Sequence, residues 1–184
     1  MRALRLALAR TLILMLLGGV GGAVVAEGDV ATASDLPHPV SGTLQYGGAF
    51  APMTTTLAEG RFLQRGYGAY DRIEMDDARL SGTLWHVWNR DFIWGPKKYE
   101  TEGEVLTGTV ELVNDEGSWV GRMRGYVTQR PERHFWHIEL TGTGAYDGLS
   151  TLLYAEGYFN HEVEGFVFPG ALPEYPDPVE VPAD

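Results

Sequence analysis

Between residues 79 and 168 apolar and polar side chains exchange at nearly every step, which is the period of a half-buried β-strand. No stretch there carries an apolar stripe at helical spacing with capping residues at its ends. The pattern predicts strands over Arg79–Trp88, Glu104–Val113, Ser118–Thr128, His134–Thr141, Ser150–Phe159 and Glu162–Phe168, preceded by Val40–Tyr46 and Arg61–Met75. Alternation also assigns faces. Leu84, His86 and Trp88 share one side of their segment with Leu80, while Arg79, Ser81 and Thr83 share the other. By the same rule Leu106, Val110 and Leu112 point together, as do Trp119, Met123 and Val127, and Trp136, Ile138 and Leu140.

Turn chemistry joins these segments to their sequence neighbours. Asn114-Asp115-Glu116-Gly117 and Gln129-Arg130-Pro131-Glu132 each separate two alternating runs, as hairpin turns do. About eight strands with one apolar side each, linked in sequence order, predict an all-β fold: an eight-stranded antiparallel up-and-down barrel that closes to avoid open edges. An open β-sandwich is the alternative. Gly142, Gly144 and Gly148 read as a tight corner between two strands, with Tyr146 and Leu149 as packing anchors. They do not read as a phosphate cradle, because no helix follows and no lysine stands beside them.

The two ends of the chain differ in kind from the middle. Arg2, Arg5 and Arg10 precede an apolar run over Thr11–Val25 with no acidic residue, and Ala26 is followed by Glu27-Gly28-Asp29. This is the order of a signal peptide, residues 1–26, cleaved after Ala26. Four glycines interrupt its 15 apolar-run residues, too short a run for a spanning helix of roughly 20. Residues 27–38 then form a polar tether, 39–170 the barrel domain, and 171–184 an extended acidic tail punctuated by Pro173, Pro176, Pro178 and Pro182. Export to a secreted, periplasmic or other extracytoplasmic location follows from this reading, with no membrane attachment after cleavage.

Composition narrows the chemistry further. The chain has 184 residues, no cysteine and a net charge of −11; three arginines and no acid leave with the leader, so the remainder carries −14. Such a surface repels nucleic acid. Disulfides, thiol catalysis and lipid attachment through cysteine are excluded. No metal-ligand spacing is present: His134 and His137 face opposite sides of a strand, and His161-Glu162 matches no known spacing, so these histidines read as surface or rim residues. Asp71, Glu74, Asp76 and Asp77 lack the glycine turn of a calcium loop. No cofactor motif and no serine elbow occurs.

Four residues stand out as candidate ligand contacts. His86 lies between Leu84 and Trp88 on an inward face, where a histidine is either hydrogen-bonded structure or, lining a cavity, a general acid or base. Trp88 adjoins it on the same face. Trp94 falls in Asn89–Tyr99, read as a long connection at the barrel mouth, where Phe92, Ile93 and Trp94 either bind a ligand or plug the end. Trp119 is the inward aromatic of its strand.

The segments Arg79-Leu80-Ser81-Gly82-Thr83, Gly117-Ser118-Trp119-Val120-Gly121, Gly142-Thr143-Gly144-Ala145-Tyr146-Asp147-Gly148-Leu149 and Gly165-Phe166-Val167-Phe168-Pro169-Gly170, in this order, look like a group of exported bacterial proteins related to the allene oxide cyclase and dirigent barrels. The resemblance spans about Leu80 to Gly170. It implies an eight-stranded barrel whose cavity binds a small apolar or phenolic molecule. None of those families' functional residues matches a position here, so none is carried over. Two functions remain as expectations: an exported small-molecule-binding or interaction module, and a cofactor-independent isomerase or cyclase acting in the barrel cavity.

Overall fold

A computed structural model describes residues 36–58, 61–94 and 101–174. The chain separates into Met1–Val30 and Ala31–Asp184, and the described residues lie in the second unit. Signal peptide, cleavage site, most of the tether and most of the tail fall outside the described residues. So do residues 95–100 and the side chain of Trp94.

Among the described residues nine strands form one antiparallel sheet: β1 (His38–Ala51), β2 (Thr54–Ala58), β3 (Arg61–Met75), β4 (Gly82–Trp94), β5 (Thr101–Val113), β6 (Gly117–Gln129), β7 (Glu132–Gly144), β8 (Leu149–Gly157) and β9 (Asn160–Pro169). From β3 to β9 each strand pairs with its neighbours in sequence. β1 then pairs with β9 on one side and with β3 on the other, which closes eight strands into a ring. The fold is therefore the closed antiparallel ring expected from the alternation. β2 stands outside that count: it continues past β1 alongside the start of β3. Its sequence, Thr-Thr-Thr-Leu-Ala, has no alternation to announce it.

The long connection expected over Asn89–Tyr99 is corrected by the structure. β4 runs on through Trp94, and Asn89–Trp94 pair with residues 101–107 of β5. The period of two had not ended at Trp88. Arg90 and Phe92 continue the inward series, Phe92 packs edge-on against Phe62 at 5.0 Å, and outward Ile93 is exposed. At the other end of the same segment Arg79 and Leu80 are not strand. They belong to a single 3-10 turn, Ala78–Leu80, held by the Asp77 side chain accepting from the Arg79 backbone N–H at 3.1 Å.

Inward side chains divide the interior into two halves. One end is packed solid with Ile73, Leu84, Leu112, Ile138, Leu140 and Val167, all buried, with Leu80 of the 3-10 turn beneath them. Each such aliphatic side chain contributes about 1.5–3 kcal/mol by leaving water. Trp119 lies here, wholly buried and stacked on Tyr146 at 5.1 Å, and its indole N–H donates to the Arg79 carbonyl at 2.8 Å. Tyr146 donates its hydroxyl to Asn114 Oδ1 at 2.7 Å, while the Asn114 amide donates to the carbonyls of Arg79 and Ser81. Three connections are thereby tied to one asparagine. The glycine corner supplies the remaining piece, since Gly144 (φ +64°) and Gly148 (φ +81°) adopt the left-handed backbone that lets Ala145–Gly148 turn sharply enough to seat Tyr146.

Candidate functional site in the polar half of the barrel

The opposite half of the interior is built from the same inward positions, filled with different chemistry. β3 contributes Tyr67 and Asp71, β4 His86, Trp88 and Arg90, β5 Glu104, β7 His134 and Trp136, and β9 His161. Asp71, His86, Glu104 and His161 are each under one-tenth exposed, so four titratable groups lie inside one end of a small barrel. Buried polar groups are costly unless paired, so their partners decide what they can do.

Most of the pairing is local and complete. His86 Nε2 meets Asp71 Oδ2 at 3.2 Å. Arg90 forms an ion pair with Glu104 at 2.9 Å and places its guanidinium over the Trp88 ring at 4.7 Å, a cation–π contact. Gln129 donates to the other Glu104 oxygen at 2.8 Å. The hydroxyls of Tyr46 and Tyr67 meet at 3.0 Å, and Tyr67 packs edge-on against Trp88 at 4.7 Å. Over the intervening β8, Trp136 donates its indole N–H to His161 Nε2 at 3.2 Å, with the His134 ring 5.5 Å from that of His161. Trp136 can lie where it does because Gly125 sits beneath it: a β-carbon at Gly125 would approach the indole to 2.5 Å.

The electrostatics follow from burial and these contacts. Burial lowers the pKa of His161, with the His134 charge adding to the effect and Asp71 opposing it. The neutral ring is also what the Trp136 bond requires, since Nε2 accepts there. His134 is lowered for the same first reason, with Glu132 pulling it back up. Burial raises Glu104, with Arg90 opposing. Tyr46 is pushed up to about 12, first by its bond to Tyr67 and then by burial, so it stays a neutral hydroxyl at working pH.

Among the described residues the buried polar atoms without a hydrogen-bond partner include Gln64 Oε1, His161 Nδ1, His86 Nδ1 and Trp88 Nε1, and the last two share the inward face of β4. Their rings are 6.5 Å apart and within 21° of parallel. A flat aromatic lining with unpaired polar atoms suits a small molecule carrying both apolar surface and a hydrogen-bonding group. Among the described residues no three His, Asp or Glu side chains are grouped to hold a metal ion.

Of the four candidates from the sequence, His86 and Trp88 are brought together here. Trp119 is at the packed end, where its stacking and its bond to Arg79 give it a structural role, and the Trp94 side chain lies outside the described residues. His161, read as a surface or rim residue, is corrected to a buried one, because it follows the Tyr158-Phe159 turn and enters β9 on the inward register opposite Leu44. Asp71, Tyr67, Trp136 and His161 were missed as site residues. The alternation Tyr67, Ala69, Asp71, Ile73 carries the signal that places Asp71 inward.

No protein-family model, no curated protein and no solved structure matches this chain. The fold defines it as an all-β closed antiparallel ring, and its function has to be argued from the site.

Proposed function

We propose that this protein binds a small, flat, largely apolar molecule bearing a polar group in the polar half of its barrel, and that it does so after export. One observation carries the reading. At the packed end the buried polar side chains of Trp119, Tyr146, Ser150 and Thr151 are each hydrogen-bonded within the protein. At the polar end His86 Nδ1 and Trp88 Nε1 are as deeply buried and lack such partners among the described residues. Unpaired buried donors and acceptors cost roughly 1–3 kcal/mol each, and a bound ligand that pairs with them recovers that cost. The motif resemblance to allene oxide cyclase and dirigent barrels supports an apolar or phenolic ligand class, and the arginine-led apolar start of the sequence supports export.

Titration of the full-length protein with a panel of substituted monocyclic and bicyclic aromatics, followed by tryptophan fluorescence, tests the reading. Trp88 and Trp136 flank the site, so binding changes the emission, and Trp88→Phe removes much of the change. A flat response across the panel, with no small molecule retained in native mass spectrometry, refutes it. A second reading, cofactor-independent isomerisation or cyclisation of the same ligand class, is favoured by the Asp71–His86 pair, which is the arrangement of an oriented general base.

A further inference from the structure

The polar half of the barrel has a definite hydrogen-bonding polarity, and one carboxylate sets it. We infer that Asp71 makes the site selective for molecules that donate a hydrogen bond, through an O–H or N–H group, to His86 Nδ1. The inference rests on the reading that this half binds a small molecule.

An ionised carboxylate can only accept hydrogen bonds, so the 3.2 Å contact between Asp71 Oδ2 and His86 Nε2 places a ring proton on Nε2. A singly protonated ring bonded in this way carries its lone pair on Nδ1. That atom is buried and has no partner among the described residues, so what the interior presents at His86 is an acceptor. Trp88, two residues further along the same face, presents the opposite, since an indole nitrogen only donates. The hydroxyls of Tyr46 and Tyr67 are bonded to each other at 3.0 Å. Around His86 the strand neighbours are Ala69 on β3 and Val110 on β5, neither of which offers a side-chain donor. A ligand is therefore read at two fixed points: a donor opposite His86 and an acceptor opposite Trp88. A molecule that has the shape but lacks the donor leaves the His86 lone pair buried and unpaired, and sites of this kind discriminate strongly against such analogues.

Asp71 is a positioning residue here, acting through the tautomer of His86, and its test reads that tautomer directly. Nitrogen-15 NMR of the imidazole in the full-length protein should show the proton on Nε2 in the wild type and on Nδ1 in Asp71→Asn, where the amide donates to Nε2 instead. Three probes of similar shape then report polarity: 4-ethylphenol, which donates and accepts, 4-ethylanisole, which only accepts, and ethylbenzene, which does neither. Wild-type protein should hold 4-ethylphenol roughly tenfold tighter than 4-ethylanisole, the equivalent of one neutral hydrogen bond. In Asp71→Asn that preference should disappear, because either oxygen can accept from a protonated Nδ1, while near-ultraviolet circular dichroism shows the fold intact. Equal affinity for all three probes overturns the inference and leaves the binding reading standing. A wild-type proton on Nδ1 overturns it without any ligand. Failure of every probe to bind removes the binding reading, and this inference falls with it.

Discussion

The two halves of the barrel interior use the same strands, the same inward register and the same closure, yet they are filled on opposite principles. At the packed end Leu80, Leu84, Leu112 and Leu140 are essentially inaccessible, and the polar atoms of Trp119, Tyr146 and Asn114 bond to one another or to the backbone. At the polar end the same positions hold His86, Trp88, Glu104 and His161, with unpaired nitrogens among them. The least accessible aliphatic side chains are concentrated at one end, and the unpaired buried nitrogens of His86 and Trp88 at the other.

The strongest way to break this comparison is at the packed end. Trp119→Ala removes the Tyr146 stack and the bond to Arg79 and should cost about 3–5 kcal/mol, read as a large drop in the urea midpoint. A loss under about 1 kcal/mol shows that this end is not where the fold is held. The next effect belongs to the polar end and to acid. Burial depresses His134 and His161 in the folded state, so the unfolded chain takes up protons first as pH falls below about 6.5. Stability contributed by the neutral rings is present above that pH and is lost as pH falls toward their lowered folded values. The slope is about 1.4 kcal/mol per pH unit for each histidine, and His161→Phe should flatten it. Unchanged urea midpoints from pH 7 to about pH 5.5 in the wild type contradict the burial of these rings.

Gly148→Ala isolates backbone strain, because a β-carbon there meets no atom within 4 Å while the residue sits at φ +81°. It should cost about 1–2 kcal/mol from conformation alone, visible in thermal melts. Smallest of all, replacing both Asp71 and His86 by Leu should leave stability at or above wild type, as exchanging a buried polar pair for apolar groups commonly does. The same double variant should lose ligand binding. A marked loss of stability places the pair with the packed end, as structure.

The architecture was legible because period two survives wherever one face is buried, and it placed Leu84, His86 and Trp88 on one side. The glycine corner was legible too, since Gly144 and Gly148 bracket the residues that turn. What the pattern hid was pairing between strands distant in sequence. Asp71 looked like one acid in a cluster with Glu74, Asp76 and Asp77. Only the β3–β4 register brings it to His86, while Asp76 turns to Ser41 and Asp77 to Arg79. Likewise Trp136 and His161 are 25 residues apart and meet over the intervening β8, a contact that no local spacing encodes. Asn89–Trp94 misled for another reason: their aromatic and charged mixture resembles a loop, although they continue a strand.

Closure by β1 has a kinetic consequence. From β3 to β9 every pairing joins successive strands and is short in range. The β1–β9 ladder instead joins residues such as Leu44 and His161, roughly 120 positions apart. Long-range closure of this kind is slow. Until β9 is in place, β1 has no partner on that side and the sheet stays open there. The ring, and with it the interior that His161 completes, comes into being only in the last step of folding.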